Sequence, residues 1–545
     1  MVAEKFISED VKRSPMFTIE NNVIVGNPSA KRENNPIAKV ILDSLRSYPD
    51  TVAQINTATG EKITFGKLRD LSVRCAIWLK KQGIGQNDIV CTSTPNQSYD
   101  CIPCLATLYL GAVVNPWFSE LSFASARHFF DIIQPKILFA CEESIEILAQ
   151  VANDVGVTCK FVVFGRYPGF QSLEDIMAEI SPEEIDGFRH VEPEDPKTKL
   201  GIILFSSGTT GTQKGTMLSY DALANHHMEQ LLPHEGSNAL WYSTMSWITG
   251  TCFITSCIRL RCTRILHSHF DPEETSQVVE KYKVNWAFLS PSALTQLYKN
   301  KLIDQYNYAS LEVLATGGSK PSKVVLDYCR RALPHTLVTN TFGMTELGGM
   351  VVYQRSAFKK IDSIGYVVGG IKMKIIDSAM GNKLGPNQQG ELCFKFDGIM
   401  LGYFKNPRET KKMLDDEGWL HTGDLGYFDE DGEISITDRI KEVIICQNYH
   451  ISPSQIEGIL LQHPEVKEVA VVPVPHQVDI ERPMAFVVKI PGAKVTAEVL
   501  MELPASYDEY FRLTGGVVFL EKLPYTNTGK KSLRDLKEMA KAYAQ

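Results

Sequence analysis

SSGTTGTQKG, residues 206–215, stands directly after the apolar run LGIILF at 200–205. The apolar run predicts a buried strand, and the glycines and hydroxyls predict the turn that leaves it. Glycine lets a backbone approach a ligand closely, and successive N–H groups and hydroxyls can surround phosphate oxygens. Lys214 adds one positive charge. The segment therefore indicates a phosphate-binding loop, with a solvent-exposed Gly/Thr turn as the alternative.

The loop differs from two common nucleotide-binding motifs. A Walker A loop has glycine directly before its lysine and Ser or Thr directly after it, whereas Gln213 and Gly215 flank Lys214 here. No G-x-G-x-x-G lies between a predicted strand and a predicted helix, so a dinucleotide-binding fold has no support.

Later segments carry residue types that suit a nucleotide. In NTFGMTELGG (340–349), Phe342 is suited to stack on a base, and Thr345 and Glu346 offer oxygens to a metal–phosphate group. An ordinary strand-to-turn connection is the alternative for this segment.

Two more segments lie nearer the C-terminus. In GWLHTGDLGYFDEDGEISITDR (418–439), the Asp424 carboxylate can accept both hydroxyl protons of a ribose. In LPYTNTGKKS (523–532), Lys530 follows a glycine turn. Local sequence alone favours a solvated lysine there over a catalytic one.

The pattern of elements predicts the fold class. Short β-branched runs alternate with helical patterns before residue 350, which favours α/β architecture with largely parallel sheets. Predicted strands lie at 88–94, 136–140, 160–165, 200–206, 284–290 and 311–316, with a helix at 123–133. After residue 360, strands alternate with Gly-, Asn- and Asp-rich turns, which predicts hairpins or a small β-barrel. Past Asp438 a helix, two strands and an amphipathic helix indicate a compact α+β unit.

The length and net charge of the chain limit the classes of protein to which it can belong. A chain of 545 residues is too long for one hydrophobic core, and we expect domains at 1–437 and 438–545. The net charge of −8, without a long basic run, argues against nucleic acid or an anionic membrane as a partner. The N-terminus lacks a signal-peptide core, and the longest apolar stretch, 102–114, is shorter than the roughly 20 residues that cross a bilayer. The last residues, AKAYAQ, are not an SKL-type signal, so a cytoplasmic location is expected, and the oligomeric state stays open.

Cysteines do not form a metal or disulfide pattern in the sequence. The twelve cysteines are scattered and none has zinc spacing with histidine, so we expect them to be reduced. Cys101 and Cys104 have redox spacing, but they lie in an apolar run, so helix packing is favoured over redox chemistry.

The four segments, in this order and at these separations, resemble the motifs of the adenylate-forming superfamily. This superfamily includes acyl-CoA synthetases, 4-coumarate–CoA ligases and beetle luciferases, and the general pattern is most similar to insect luciferase-like members. The resemblance implies a large N-terminal domain and a small, mobile C-terminal domain. It also implies that a carboxylate attacks the α-phosphate of ATP, with release of pyrophosphate, before a second acceptor takes the acyl group. ATP, Mg²⁺ and CoA would then be required, with O₂ in place of CoA for a luciferase.

The resemblance further implies a role for each motif residue. The loop that holds the β- and γ-phosphates would comprise Ser206, Ser207, Gly208, Thr209, Thr210, Gly211 and Lys214. The adenine slot and its flank would comprise Gly317, Gly318, Ser319, Asn340, Thr341, Phe342, Gly343 and Met344. Asp424 and Arg439 would hold the ribose, and Thr345 and Glu346 would bind the α-phosphate with Mg²⁺. Lys530 would form the bridge to the attacking carboxylate, and Asp438 would be the hinge.

The acyl pocket implied by the resemblance has an unusual lining. It would comprise Trp247, Thr249, Gly250, Gly348, Gly349 and Met350. Ser246 and Trp247 stand where luciferases have two histidines. Small residues with one indole favour a medium-sized apolar or aromatic acid, with Trp247 as a plain core residue as the alternative.

The segment after the hinge departs from the superfamily pattern. The superfamily commonly reads DRxKExIKxKGxxVxP, whereas this chain reads DRIKEVIICQNYHISP at 438–453. Ile445 and Gln447 stand where lysines are usual, and Asn448 stands where a glycine leaves room for the pantetheine arm. The departures weaken both CoA transfer and luciferin oxidation as the second step, with the alternative that insect members of the superfamily tolerate such substitutions and still use CoA. Three hypotheses follow: an acyl-CoA ligase, a luciferase, and a non-catalytic adenylate-binding protein, which the intact motif residues argue against.

Overall fold

The computed structural model describes residues 17–27, 33, 35–206, 213–226, 231, 234–354, 360, 363–446, 449–526 and 530–543. Its strands, in chain order, are β1 (Phe17–Glu20), β2 (Val23–Gly26), β3 (Val52–Asn56), β4 (Lys62–Thr64), β5 (Ile89–Ser93), β6 (Val113–Trp117), β7 (Ile137–Ala140), β8 (Lys160–Val163), β9 (Gln171–Ser172), β10 (Leu200–Ser206), β11 (Lys214–Ser219), β12 (Asn238–Trp241), β13 (Thr263–Leu266), β14 (Trp286–Phe288), β15 (Val313–Gly317), β16 (Leu337–Met344), β17 (Gly349–Tyr353), β18 (Tyr366–Val367), β19 (Lys372–Ile376), β20 (Lys383–Leu384), β21 (Gly390–Lys395), β22 (Gly402–Tyr403), β23 (Leu420–Phe428), β24 (Ile434–Arg439), β25 (Ile444–Cys446), β26 (Tyr449–Ile451), β27 (Val466–His476), β28 (Ile480–Lys489) and β29 (Gly516–Phe519).

Helices lie between most of these strands. They are α1 (Ile37–Ser47), α2 (Phe65–Lys81), α3 (Ile102–Tyr109), α4 (Phe123–Ile133), α5 (Ile145–Asp154), α6 (Leu173–Ala178), α7 (Pro182–Gly187), α8 (Tyr220–Ala224), α9 (Ile248–Leu260), α10 (Pro272–Lys281), α11 (Pro291–Lys299), α12 (Lys323–Ala332), α13 (Pro407–Met413), α14 (Pro453–Leu460), α15 (Ala497–Ala505) and α16 (Leu533–Lys541). Short 3₁₀ turns occur at Leu302–Asp304, Thr345–Leu347 and Glu509–Phe511.

Two large sheets are mainly parallel, as the alternation of strands and helices predicted. The first runs β22-β11-β10-β6-β5-β7-β8-β9 and is parallel from β10 to β9. The second runs β18-β17-β16-β15-β14-β12-β13-β3-β4 and is parallel from β16 to β3. Strands β10 and β7 are continuous apolar runs because both faces of such a sheet are covered. Helix α4, also predicted, buries Ala126, Phe129, Phe130 and Ile133 on one face, and the Ser122 hydroxyl caps its start.

The remaining two sheets contain most of the strands after residue 370, and one of them also includes β1 and β2. An antiparallel sheet runs β1-β2-β19-β21-β23-β24 with β20 beside β19, and over the described residues its pairings form an open path from β1 to β24. The last sheet runs β26-β25-β28-β27, with β29 parallel to β28, and both α14 and α16 pack on β27. This α+β unit contains the helices and strands that the sequence predicted after Asp438.

The buried apolar residues fall into clusters on either side of Asp438. Four clusters draw their buried members from residues 24–434, and two draw theirs from residues 444–540. Within the described ranges, no buried apolar cluster contains residues from both sides. Each side therefore packs its own hydrophobic interior.

A buried ion pair connects the two large sheets. Arg264 on β13 contacts Asp100, which precedes α3, through Nη1–Oδ1 at 2.9 Å and Nη2–Oδ2 at 3.0 Å. The two side chains are 5% and 3% exposed. Asn96 accepts a further hydrogen bond from Arg264 at 2.9 Å. The pair fixes the loop after β5 against β13.

Replacing Arg264 with methionine is expected to lower the free energy of unfolding by about 3–5 kcal/mol, because the Asp100 carboxylate would stay buried without a partner. Urea denaturation of the full chain measures the change. Arg166→Met is the control, since the Arg166–Glu174 pair is exposed and such pairs contribute about 0–1 kcal/mol. Equal effects of the two substitutions would contradict the prediction.

Candidate functional site

The ends of the predicted phosphate loop are held together by a β-hairpin. Ser206 at the end of β10 is the register partner of Lys214 at the start of β11. Ser207, Gly208, Thr209, Thr210 and Gly211 lie outside the described residues. The buried Ser206 hydroxyl has no hydrogen-bond partner among the residues that the structure describes. An unsatisfied hydroxyl at this point fits a loop that binds phosphate oxygens.

Lys214 is connected to Glu346 through an aromatic side chain. The Lys214 ammonium pairs with the Glu409 carboxylate and lies 5.1 Å from the centre of the Tyr403 ring. The Tyr403 hydroxyl donates to Glu346 Oε1 at 2.9 Å. Strand β22 carries Tyr403 and pairs with β11, which explains the proximity. The structure thus brings the phosphate-loop lysine and the predicted metal ligand together.

Glu409 and Tyr403 were missed by the sequence analysis. Hydrogen bonds from Lys214 and Lys412 lower the pKa of Glu409 to about 2. Burial, with the adjacent Glu346 carboxylate, raises the pKa of Tyr403, so it stays a neutral hydrogen-bond donor. Glu409 lies 195 residues from Lys214 in the sequence, so no local pattern could have indicated the pair.

The predicted adenine residues lie side by side at the ends of two parallel strands. Gly317 on β15 is the register partner of Thr341 on β16. The Thr341 hydroxyl donates to the Thr316 carbonyl at 3.0 Å, and a Cβ on Gly317 would lie 2.4 Å from that hydroxyl oxygen. Only glycine therefore fits at position 317. Gly318, with φ of +88°, and Ser319 are exposed beyond the strand end.

The other residues of this strand are partly or fully covered. Asn340 is buried, and Phe342 is half-buried and lies 6.0 Å from Phe394 between ring centres. Gly343 and Met344 pair with β17 opposite Met350 and Gly349. Phe342 thus contributes to the core through one face, and its remaining exposure leaves a face for a base.

Thr345 and Glu346 form the 3₁₀ turn between β16 and β17. Thr345 is half-buried, and Glu346 is only 6% exposed. The Met400 backbone N–H donates to the Glu346 carbonyl at 2.9 Å, which fixes the turn against the segment before β22. A hydroxyl and a carboxylate on one rigid turn are oxygen ligands of the type that Mg²⁺ prefers.

Asp424 and Arg439 form an ion pair across two antiparallel strands. They are register partners on β23 and β24, and Arg439 Nε donates to Asp424 Oδ1 at 3.0 Å. Asp424 is 4% exposed, and its backbone N–H donates to the Thr422 hydroxyl at 3.0 Å. Burial raises the pKa of Asp424, while the positive charges of Arg439 and Lys530 oppose that rise. The pair can present a fixed carboxylate to a diol.

Lys530 is near the Asp424–Arg439 pair, although it belongs to the last part of the chain. A tight turn holds it, since its N–H donates to the Thr526 hydroxyl at 3.3 Å and its carbonyl accepts from the Thr526 N–H at 2.8 Å. Desolvation by surrounding protein lowers the pKa of Lys530, and Arg439 lowers it further, while the carboxylates of Glu346, Asp424 and Glu442 act in the opposite direction. These charges act on Lys530 because they are close to it.

The Lys530 and Arg439 side chains are accessible to solvent, yet many protein atoms lie around them. Lys530 is exposed and the Arg439 side chain is 40% exposed, yet protein atoms around both groups are numerous enough to desolvate them. That combination is expected of side chains that line an open cleft. Glu442 joins them, and burial raises its pKa. It was missed by the sequence analysis, although it follows Arg439 by three residues.

The predicted acyl-pocket residues surround the start of helix α9. Trp247 directly precedes the helix, is half-buried and lies edge-to-face with Phe118 at 6.1 Å between ring centres. A Cβ on Gly250 would lie 2.0 Å from the Thr244 carbonyl oxygen, so the helix can approach this loop only with glycine there. Thr249 is half-buried, one residue before Gly250.

A second group joins this helix to strand β17. Cys252 Sγ lies 3.9 Å from the carbonyl oxygen of Gly348, which precedes the strand, and Gly349 and Met350 on β17 are buried. Cys252 was missed by the sequence analysis because its neighbour is 96 residues away. Helix α9 and the residue before β17 are therefore in contact through Cys252.

Asp438, at the predicted hinge, is held by contacts with residues that follow it in the chain. It is 8% exposed, its Oδ2 accepts from the Ser452 hydroxyl at 2.6 Å, and its Oδ1 accepts from the Arg439 N–H at 2.8 Å. Burial raises the pKa of Asp438. Ile445 is 39% exposed, and Gln447 and Asn448 lie outside the described residues.

Cys101 and Cys104 are packed inside the molecule, as predicted. Both thiols are buried, and burial raises the pKa of Cys101 and raises that of Cys104 to about 12. Neither is therefore a thiolate at neutral pH. Among the helices of the described residues, none combines the length and hydropathy needed to cross a membrane.

Comparison with known proteins supports the family that the sequence motifs resemble. The family model described as AMP-binding enzyme matches residues 42–404, and that of the AMP-binding enzyme C-terminal domain matches residues 455–530. The chain is 28% identical to luciferin 4-monooxygenase of Photuris pensylvanica, over 95% of this chain and 98% of that one. It is 29% identical to 4-coumarate–CoA ligase 3 of Oryza sativa subsp. japonica, over 89% and 88%.

A solved structure of similar sequence agrees with these matches. The luciferase-like enzyme from the nonluminescent Zophobas morio mealworm superposes with a TM-score of 0.71 at 27% identity, covering 77% of this chain and 98% of that one. The family model alone spans more than half of the chain. The chain therefore belongs to the AMP-binding enzyme family and is an ATP-using, adenylate-forming enzyme of the acid ligase type.

Proposed function

We propose that the chain activates a small-molecule carboxylic acid as its acyl-adenylate and then transfers the acyl group to CoA. The observation that supports the first step is the convergence of Lys530, Glu346, Asp424 and Arg439 on one cleft. These residues come from three separate motifs. A non-catalytic adenylate-binding protein would have no need of the Lys530 ammonium at this point.

The first step assigns each part of the site a role. Residues 206–211 and Lys214 hold the β- and γ-phosphates, residues 317–319 and 340–344 hold the adenine, and Asp424 with Arg439 holds the ribose. Thr345 and Glu346 hold the α-phosphate, with the oxygens that suit Mg²⁺. A bound Mg²⁺ ion would supply charge neutralisation at the phosphates.

The substrate carboxylate oxygen attacks the α-phosphorus, and the bond from that phosphorus to pyrophosphate breaks. Negative charge accumulates on the five-coordinate phosphorus, and the Lys530 ammonium stabilises it together with the attacking carboxylate. Lys530 keeps its proton throughout. The carboxylates of Glu346, Asp424 and Glu442 support this charged form against desolvation.

The second step requires residues 438–545 to turn about Asp438, as a small mobile domain. The Asp438–Ser452 hydrogen bond lies at the pivot and would have to rearrange. Plant 4-coumarate–CoA ligases match nearly the whole chain, which supports transfer to CoA even though Asn448 stands where a glycine is usual. A luciferase is the alternative, because luciferin 4-monooxygenases match equally well, but Ile445 replaces the lysine associated with that oxidation.

The acid is expected to be of medium size and apolar or aromatic. Trp247, Thr249, Gly250, Gly348, Gly349 and Met350 would form the walls of its pocket. The half-buried indole of Trp247 supplies an aromatic surface, and the glycines leave room beside it.

Conversion of ATP to AMP across a panel of fatty and aromatic acids, each with and without CoA and with light recorded, tests the proposal. We expect AMP release that depends on both an acid and CoA, in darkness. AMP release with light and without a need for CoA would replace the ligase with the luciferase. If no acid supports the exchange of pyrophosphate into ATP, the proposed adenylation itself would be overturned.

A further inference from the structure

A second cluster of ligating side chains lies beside the ribose pair, on strands β21 and β23. Glu391 and Cys393 are two residues apart on β21 and so share a face of the sheet. His421 on β23 is the register partner of Cys393. The His421 Nδ1 atom lies 3.6 Å from Cys393 Sγ and 3.1 Å from Glu391 Oε2. One ligand atom from each residue lies within 4.8 Å of the other two.

Each of these side chains is oriented by a second contact. Glu391 Oε1 accepts the Gly423 N–H at 2.9 Å, which turns Oε2 toward His421. His421 Nε2 lies 3.4 Å from Asp415 Oδ2. Asp415 Oδ1 in turn accepts the backbone N–H groups of residues 417 and 419 at 3.0 and 2.8 Å. A carboxylate behind the far nitrogen is the usual support of a metal-binding histidine.

We propose that Glu391, Cys393 and His421 bind a Zn²⁺ ion through Oε2, Sγ and Nδ1, with Asp415 holding the imidazole. Zinc bonds of about 2.0–2.3 Å in a tetrahedral arrangement place neighbouring ligand atoms roughly 3.3–3.8 Å apart. The two separations from His421 Nδ1, 3.1 and 3.6 Å, lie within a few tenths of an ångström of these values, and the ligand atoms of Glu391 and Cys393 lie within 4.8 Å of each other. Three protein ligands leave the fourth position for water.

The charge around the cluster suits a divalent ion. The Glu391 carboxylate and the Cys393 thiolate would bind the ion, and the Asp415 carboxylate would lie behind His421. The Lys374 ammonium lies close by, 4.4 Å above the Trp419 ring. Lys374 is the cross-strand partner of Cys393, so the loaded cluster would carry no net charge. Cys393 is fully buried, whereas the His421 and Asp415 side chains are 25% and 30% exposed, which leaves an entry path.

The ion would stiffen the segment that carries Asp424. Glu391 holds the N–H of Gly423, and the next residue is Asp424. A carboxylate fixed by an ion would fix this turn more firmly than a carboxylate free to rotate. The proposal does not depend on the identity of the acid or of the second acceptor.

Titration of the chelator-treated full chain with Co²⁺ tests the site directly. We expect one equivalent to give a thiolate-to-cobalt charge-transfer band, and Zn²⁺ to displace it. Cys393→Ser should abolish the band, and Cys446→Ser, which removes a half-buried thiol elsewhere, should leave it unchanged. Asp415→Asn should weaken Co²⁺ binding by about 10- to 100-fold while keeping the band at saturation.

The magnesium site cannot produce this signal, because its ligands are oxygens. Absence of the band in the unmodified chain, or its persistence in Cys393→Ser, would overturn the proposal and leave an imidazolium ion held between Glu391 and Asp415. Asp415→Asn keeps all three ligands, so it remains informative if Cys393→Ser fails to fold. A Co²⁺ affinity unchanged in Asp415→Asn would exclude the assigned role of Asp415.

Discussion

Replacing Lys530 with methionine is expected to lower the rate of acyl-adenylate formation by about 100- to 1,000-fold, because the charge at the α-phosphate would lose its stabilising ammonium. The KM for ATP should change little, since the phosphate loop, the adenine strands and the Asp424–Arg439 pair remain. Acid-dependent exchange of pyrophosphate into ATP isolates this step from the second one. Methionine keeps most of the aliphatic part of the lysine side chain, so the substitution mainly removes the positive charge.

The adjacent lysine supplies the control for this experiment. The Lys531 ammonium donates to the Glu457 carboxylate at 2.8 Å and to the Val469 carbonyl, both within the last part of the chain. Lys531→Met should therefore cost stability, while the exchange rate of the folded enzyme stays near that of the unmodified chain. Similar exchange rates in the two variants would contradict the role proposed for Lys530.

Replacing Glu346 with glutamine is expected to lower the adenylation rate by about 100-fold and to raise the Mg²⁺ concentration needed for half-maximal rate. Glutamine has the same size and can still accept a hydrogen bond from Tyr403, so packing of the buried turn is kept. The lost negative charge removes an oxygen ligand of the kind that a hard cation needs. Initial rates across a Mg²⁺ series at saturating ATP measure both effects.

Tyr403→Phe separates the charge of Glu346 from its positioning. It removes the hydroxyl that donates to Glu346 Oε1 at 2.9 Å and leaves the carboxylate in place. A hydrogen bond to a charged group contributes about 1.5–3 kcal/mol, so the rate should fall by roughly 10- to 100-fold, without a change in the Mg²⁺ requirement. An equal shift of the Mg²⁺ requirement in both variants would contradict this separation, because it would mean that Glu346 needs the Tyr403 hydroxyl to bind the ion.

Local patterns were sufficient to predict much of the fold. The apolar run at 200–206 is strand β10, and the spacing of Ala126, Phe129, Phe130 and Ile133 is the buried face of α4. Both features are encoded within a few residues, because strand and helix periods are local properties of the chain. The parallel character of the large sheets followed from the alternation of these elements.

Contacts across sheets could not be predicted in the same way. The partner of Lys214 is Glu409 and the partner of Arg264 is Asp100, and each pair depends on strand order and register. The histidine beside Cys393 was also missed, because zinc motifs are recognised by short spacings, whereas His421 follows Cys393 by 28 residues on a neighbouring strand. Family resemblance named the motif residues, but it did not indicate which other side chains support them.

The separate hydrophobic interiors on the two sides of Asp438 allow each side to accept replacements without disturbing the packing of the other. Ile445 is 39% exposed and contributes nothing to the packing of residues 24–434, so its replacement leaves that packing unchanged. The same independence makes the chain suited to recombination. A relative's segment exchanged at position 438 would bring its own folded interior, and it would need its own equivalents of Arg439 and Lys530 for the proposed activation of the acid.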